Sequence, residues 1–472
     1  MHRIVHLDLK GAPWKISYLE KVILSAKQWG ATGVLFEWED TFPYCDPLMN
    51  IGSLSGCPKG SGGDRLYSVK EVWHILEFTK LNGLEPIQLV QTIGHMEFVL
   101  KHSKYRDLRE APRSPAVLCP SRPGARSLVL TMLDQVLHFQ PDAKYLHIGA
   151  DEVWHTGVCQ DCQVRAAASE HKTASLFLDH IRDLVLFIKR KRPNLTVLMW
   201  DDMLRSVSVD TLQQYRVGEL VQPVLWLYNT IECFQIDPLL WQRYKQVFPN
   251  MWTGSAYKGA NGSNQIISPV SRYISNHEAW LREFKRYGAD ISFTGIILTG
   301  WSRYDHYATL CELLPVSLPS LASCLRLLVK GDTDNIVSVV SETLPQNEWP
   351  GLELARAVHS FVAHRNRCLE FIHGDLVGTW LNPWQLERNF TNPVQIEGIA
   401  HNAQQLINDM TGLQDELSTH LHAMTGKRSA EEWLQTLLIP VSRRLTEIRN
   451  VAAVRAASEA GVRPILDDDD DG

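Results

Sequence analysis

Through the first 320 residues the chain repeats one pattern: a short apolar run, then a longer stretch with helical spacing. The apolar runs lie at 4–8, 33–38, 86–91, 145–149, 196–200, 223–227, 251–256 and 293–298. The stretches between them include 17–29, 68–81, 174–191 and 272–287. In 174–191 the residues Leu176, Leu178, Ile181, Leu184, Val185 and Ile188 recur at the spacing of one helix face. Pro193 should end that helix just before the fifth run. Strands that alternate with helices pair in parallel, because each crossover returns the chain to the same end of the sheet. Eight such units over this length predict an α/β fold, a closed (β/α)8 TIM barrel. An open doubly wound sheet competes, but no run is followed by a glycine-rich phosphate loop.

After about Ser320 the strand pattern stops. Helical spacing continues at 352–371, 395–417 and 430–456, with Pro440 expected to kink or split the last stretch. Asn382-Pro383 and Asn392-Pro393 mark turns. The expected division is a barrel at 1–320, a C-terminal α-helical domain at 321–460 packed on it, and an acidic tail at 461–472. The five aspartates at 467–471 read as solvated.

Residues 144–154 read Lys-Tyr-Leu-His-Ile-Gly-Ala-Asp-Glu-Val-Trp. A strand-like run ends here in adjacent carboxylates, Asp151 and Glu152, with aromatic and imidazole neighbours. Burial and mutual repulsion can push two such acids apart in pKa, so that one stays protonated while the other stays ionised. Cleaving a glycosidic bond requires that division. An isolated Asp-Glu pair carries little weight, since it also ends ordinary strands and caps helices.

The other strand ends add to it. They carry Asp8 and Lys10; Glu37, Trp38, Glu39 and Asp40; His95 and Glu97; Trp200, Asp201 and Asp202; Trp226 and Tyr228; Trp301, Tyr304 and Asp305. Active sites of such barrels lie at this face. Flat aromatic rings beside carboxylates suit a sugar, whose apolar face stacks and whose hydroxyls donate.

At these residues the chain resembles the family 20 glycoside hydrolases, the β-N-acetylhexosaminidases, over nearly its whole length. The likeness rests on His6-Leu-Asp-Leu-Lys-Gly, on Gln91-Thr-Ile-Gly-His-Met-Glu-Phe-Val-Leu-Lys and on His147-Ile-Gly-Ala-Asp-Glu-Val. Trp200-Asp-Asp-Met-Leu-Arg and Leu298-Thr-Gly-Trp-Ser-Arg-Tyr-Asp-His-Tyr complete it. The resemblance implies substrate-assisted retention, in which the 2-acetamido oxygen attacks the anomeric carbon. It implies Glu152 as general acid/base and Asp151 as the carboxylate that orients the acetamide. Trp200, Trp226 and Trp301 would wall the sugar, Tyr228 would hold the acetamido oxygen, and His95 would support the acids. Tyr304 joins the binding residues. Many members carry an arginine after the first strand; here Lys10 stands, and hydroxyl recognition is expected from Asp8, Glu39, Asp40 or Asp305. Many also have a small domain before the barrel, whereas the sequence here opens on the first strand run. The implied substrate is a glycoconjugate with a terminal N-acetylhexosamine, the implied assembly a homodimer.

Composition narrows the alternatives. A net charge of −6 and a pI near 6.3 give no basic surface for nucleic acid, and no apolar stretch is long enough to span a membrane. Few apolar residues precede the first charges, so no leader is visible, and cytoplasm and nucleus are the expected locations. Of nine cysteines, Cys159 and Cys162 form the one Cys-x-x-Cys, which lacks two of the four ligands of a structural zinc; the cysteines are expected as reduced thiols. No cofactor and no metal are expected. Two other readings stand beside the hydrolase. A non-catalytic carbohydrate-binding barrel would need a broken acid pair. A metal enzyme would use Asp151, Glu152 and His147, without a further motif to complete its ligands.

Overall fold

The computed structural model describes residues 1–51, 67–331 and 348–458. The acidic tail expected from 461 lies outside them. Eight parallel strands close into a barrel in sequence order: β1 (His2–Asp8), β2 (Gly33–Glu37), β3 (Glu85–Leu89), β4 (Tyr145–His147), β5 (Thr196–Trp200), β6 (Gln222–Trp226), β7 (Met251–Lys258) and β8 (Phe293–Gly300). Closure is made by β1 against β8, with Ile4 beside Ile297 and Val5 beside Leu298. The strands are largely buried because helices cover their outer faces, which explains why they read as continuous apolar runs. Inside, Ile4, Leu35, Ile87, Leu89, Leu198, Val224, Trp252 and Ile297 fill the barrel.

Local chemistry fixes the helix ends. Ser68 accepts from the Glu71 N–H while Glu71 reaches back to the Ser68 N–H, a capping box that starts Val69–Leu81. Ile16–Trp29 ends on Gly30 at φ 110°, a left-handed cap that needs no side chain.

By compactness the chain divides into Met1–Leu352 with Met424–Ser429, and Glu353–Ala423 with Ala430–Gly472. Helix Leu314–Lys330 straddles the boundary expected at 320 but belongs to the first unit. It follows β8 as the eighth helix of the barrel and packs on Ile16–Trp29 and Val270–Tyr287. The second unit is helical, with Leu352–His373, Pro393–Met424 and Ile439–Ala456 as its long members. Within it Phe361 meets Trp433 edge-on at 5.3 Å. A single π turn, Leu434–Leu438, precedes Pro440, which lacks the N–H that α continuation would use.

One sequence expectation is corrected here. Cys159 and Cys162 do not stand as an isolated pair: Cys119 and Glu110 lie against them. The antiparallel bridge Arg109↔Leu118 adjoins these two, which are forty to about fifty residues upstream in sequence but adjacent in space, as spacing alone does not reveal. Among the described residues no helix is long and apolar enough to cross a membrane.

Candidate active site

Strand periodicity builds the site. Leu35, Leu89, Leu198, Val224 and Ile297 point into the barrel. Successive same-face positions come two residues later, and these are Glu37, Gln91, Trp200, Trp226 and Thr299. On β4 the same count runs from His147 through Gly149 to Asp151. The barrel therefore opens, at the C-terminal ends of its strands, into a cavity of about 220 Å³.

The carboxylate pair lies on its wall. Nε2 of His95 is 3.4 Å from Oδ2 of Asp151 and 3.2 Å from Oε2 of Glu152, so one ring nitrogen serves both. Asp151 is 7% exposed. The Glu152 side chain is 38% exposed and faces the opening. Burial alone would raise Asp151, but the His95 charge and hydrogen bonds from His95 and Gln91 outweigh it and hold the carboxyl below its usual range. Burial would lower His95, yet Asp151 and Glu152 push it well above an ordinary imidazole. The two shifts favour the charged form of each partner, imidazolium beside carboxylate.

Backbone geometry aims these groups. His95, Ala150 and Glu152 have φ of 49°, 67° and 49°, in the left-handed region. Each such residue costs ~1–3 kcal/mol and persists only where its surroundings dictate it. Two glycines are among those surroundings. A Cβ on Gly94 would sit 2.1 Å from the Asp151 carbonyl oxygen, and one on Gly149 would sit 2.0 Å from Oε1 of Gln91. Gln91 uses that proximity: Oε1 accepts from the Ala150 N–H at 3.3 Å, and Nε2 donates to Oδ1 of Asp151 at 3.0 Å.

The two acids after β5 divide their work. Asp201 takes Arg205 through both oxygens, at 2.7 and 2.8 Å, and the Tyr244 hydroxyl at 3.0 Å, a structural clamp. Asp202 accepts from the Glu152 N–H at 2.9 Å and from Nε1 of Trp226 at 3.3 Å. Burial, then the Asp151 charge, raises Asp202 to about 7. A carboxyl raised on folding stabilises while protonated. That contribution is complete below its unfolded pKa and is lost as pH rises through about 7. Thermal melts from acid to mildly alkaline pH should show this loss, at up to ~1.4 kcal/mol per pH unit. Asp202→Asn should flatten it, and an unchanged profile would remove Asp202 as its source.

Trp200, Trp226, Trp301 and Tyr228 form the aromatic wall. Tyr228 stacks on Trp226 at 5.2 Å and its hydroxyl accepts from Nε1 of Trp301 at 3.3 Å. Tyr304 stands at the rim, its hydroxyl accepting from the Gly262 N–H at 2.7 Å.

Opposite the acids lies a charged wall. The Lys10 ammonium is 3.2 Å from Asp8, 3.7 Å from Glu37 and 3.8 Å from Glu39. One cation cannot neutralise three buried acids. Glu37, helped by Lys10 and by His6 at 2.9 Å, overcomes its burial and falls to about 2. Burial and the neighbouring acids push Glu39 well above the carboxylate range despite Lys10. Oε1 of Glu37 is buried and has no hydrogen-bond donor from the protein.

A family model described as "Glycosyl hydrolase family 20, catalytic domain" matches residues 42–223. Hexosaminidase D of Homo sapiens is 38% identical over 480 residues, covering 98% of this chain and 96% of that protein. The chain belongs to glycosyl hydrolase family 20. Hexosaminidase D of Bos taurus is 42% identical over 344 residues, covering 72% of this chain and 96% of that protein. The fold is similar to that in the crystal structure of a β-N-acetylhexosaminidase from Bacteroides fragilis, with a TM-score of 0.54 and 17% identity over 73% of this chain and 70% of that one.

Eight of the residues expected in a family 20 site meet around this cavity: Asp151, Glu152, His95, Trp200, Trp226, Tyr228, Trp301 and Tyr304. Four do not. Asp8 turns away to the Ser302 N–H at 2.7 Å; Glu39 sits behind Lys10; Asp40 accepts from the Gly11 N–H at 2.7 Å. Asp305 is exposed and caps the turn at Tyr307 and Ala308. The positions they were expected to fill are taken by Lys10, Glu37 and Arg303. Arg303 stands beside Gly11, donating to the Lys10 and Gly11 carbonyls, so a guanidinium reaches the region after β1 from the far end of β8. His147 lies beneath Trp200 at 4.5 Å and does not line the cavity, so it cannot join Asp151 and Glu152 around one ion.

Proposed function

We propose that this protein is a retaining exo-β-N-acetylhexosaminidase that removes terminal N-acetylgalactosamine or N-acetylglucosamine from glycoconjugates. Its kinship with hexosaminidase D supports the substrate class. The observation that carries the mechanism is His95 bridging Asp151 and Glu152 on the wall of an aromatic cavity.

In this reading the sugar lies against Trp200, Trp226 and Trp301. Glu152 donates a proton to the glycosidic oxygen as its bond to the anomeric carbon breaks. The 2-acetamido oxygen of the same sugar attacks that carbon and closes an oxazolinium ring. Asp151, kept ionised by His95, accepts the acetamide N–H and offsets the positive charge as it develops. Tyr228 is positioned to donate to the acetamido oxygen. Glu152 then takes a proton from water, which opens the ring at the anomeric carbon and restores the configuration. Lys10, Glu37 and Arg303, which also line the cavity, supply the charged groups for the ring hydroxyls.

Side-by-side assays of aryl glycosides test this. The two 2-acetamido sugars should be hydrolysed, the plain galactoside and glucoside should turn over poorly, and a thiazoline analogue of the ring should inhibit competitively. Rapid hydrolysis of a sugar without the acetamido group would rule out substrate assistance.

A further inference from the structure

Away from the cavity, four metal-ligating groups converge: Cys119, Cys159, Cys162 and Glu110. All four ligand atoms lie within 4.8 Å of one another. Cys119 Sγ is 3.4 Å from Cys159 Sγ and 3.5 Å from Cys162 Sγ. Cys162 Sγ is 3.2 Å from Oε2 of Glu110. Glu110, Cys119 and Cys162 are fully buried.

We propose that this cluster binds one zinc ion, as a closed structural site. With Zn–S bonds of about 2.3 Å, sulfurs around a tetrahedral ion stand roughly 3.8 Å apart, and a carboxylate oxygen stands slightly nearer. Those three spacings are within a few tenths of an ångström of that, and the remaining pairs lie within 4.8 Å. A disulfide needs sulfurs at about 2.05 Å. Three thiolates and one carboxylate complete four-coordination and leave no open position, which marks a structural and not a catalytic ion.

The surroundings match a ligand shell. Oε1 of Glu110 accepts from the Val158 N–H at 2.7 Å and the Cys159 N–H at 3.0 Å, leaving Oε2 to face the sulfurs. The Ser121 hydroxyl lies 3.0 Å from Cys162 Sγ and can donate to it. The Cys162 N–H donates to Cys159 Sγ at 3.4 Å, at the start of helix Gln160–Ala167. Such outer partners orient ligands and spread the charge of a sulfur-rich site.

The ligands come from the two connections that carry the acid machinery. The Leu118 N–H donates to the Ile93 carbonyl at 2.9 Å and the Met96 N–H to the Ala116 carbonyl at 2.9 Å, tying Cys119's loop to the turn bearing His95. Cys159 and Cys162 follow Glu152 on the next connection. The zinc holds these two loops together, and so fixes His95 relative to Glu152.

Full-length protein purified without chelator, exposed to zinc chloride and passed through gel filtration provides the test. Elemental analysis should find about one zinc per chain, with intact mass showing reduced thiols. Cys162→Ser should retain less than a tenth of that, and chelation should lower the melting temperature of the wild type but not of the variant. Cobalt replacing zinc should give the thiolate charge-transfer and visible bands of a tetrahedral sulfur-rich site. If Cys162→Ser fails to fold, Glu110→Gln, which keeps shape, should weaken zinc retention and alter the cobalt bands. Three results would overturn the site: folded wild type without zinc, a chain lighter by two hydrogens from a disulfide, or zinc retained equally by the variants.

Discussion

Glu152→Gln should lower kcat on an unactivated N-acetylhexosamine disaccharide by about 10²–10⁴, the usual worth of general acid–base catalysis. The change keeps the shape of the side chain, and the Glu152 backbone stays held by Asp202, so the melting temperature should move little. KM should stay near its wild-type value, because the lost interaction belongs to the transition state. Aryl glycosides with good leaving groups need less protonation, and their first step should suffer less. A variant as fast as wild type on the disaccharide would take the acid role away from Glu152.

Asp151→Asn should cost about 10²–10³ in kcat, comparable to deleting one preorganised group that faces developing charge. Two effects combine. The acetamide loses its anionic acceptor, and His95 loses the larger of the two carboxylate contributions that raise it, keeping Glu152 as a neighbour. His95 should therefore titrate lower, which NMR of the imidazole can follow. Unchanged turnover in a folded Asp151→Asn variant would show that the acetamide is not oriented there.

The barrel was legible because its signal is periodic and repeated: eight apolar runs, each long enough to stand out from the helices between them. The aromatic wall was legible because Trp200, Trp226 and Trp301 fall at strand ends. Glu37 and Gln91 are within reach of the same rule. Both lie two residues beyond a barrel-filling leucine, Leu35 and Leu89, so alternation assigns them to the inner face. Glu39 falls past the strand, where a left-handed φ of 45° turns the chain out of register. Arg303 was hidden for another reason. Its reach back to Gly11 crosses almost three hundred residues, and no local pattern announces it. The partners of Cys159 and Cys162 were invisible on the same ground, since Cys119 and Glu110 arrive on a separate connection.

The left-handed turns at His95 and Glu152 have a consequence for how such a site can change. Their side chains are aimed by the backbone at the strand ends, and the register of neighbouring strands sets that backbone. Loops at the opposite mouth of the barrel have no hand in the aim. They are free to lengthen, shorten or vary in composition, and they would spend only thermal stability in doing so. Drift in the acid pair would instead require re-registering β3 or β4 against their neighbours. A shift of one residue would swap inward for outward side chains along the whole strand. The chemistry is thus guarded by the most cooperative part of the molecule, and diversification in substrate choice is confined to the rim, where Tyr304 stands.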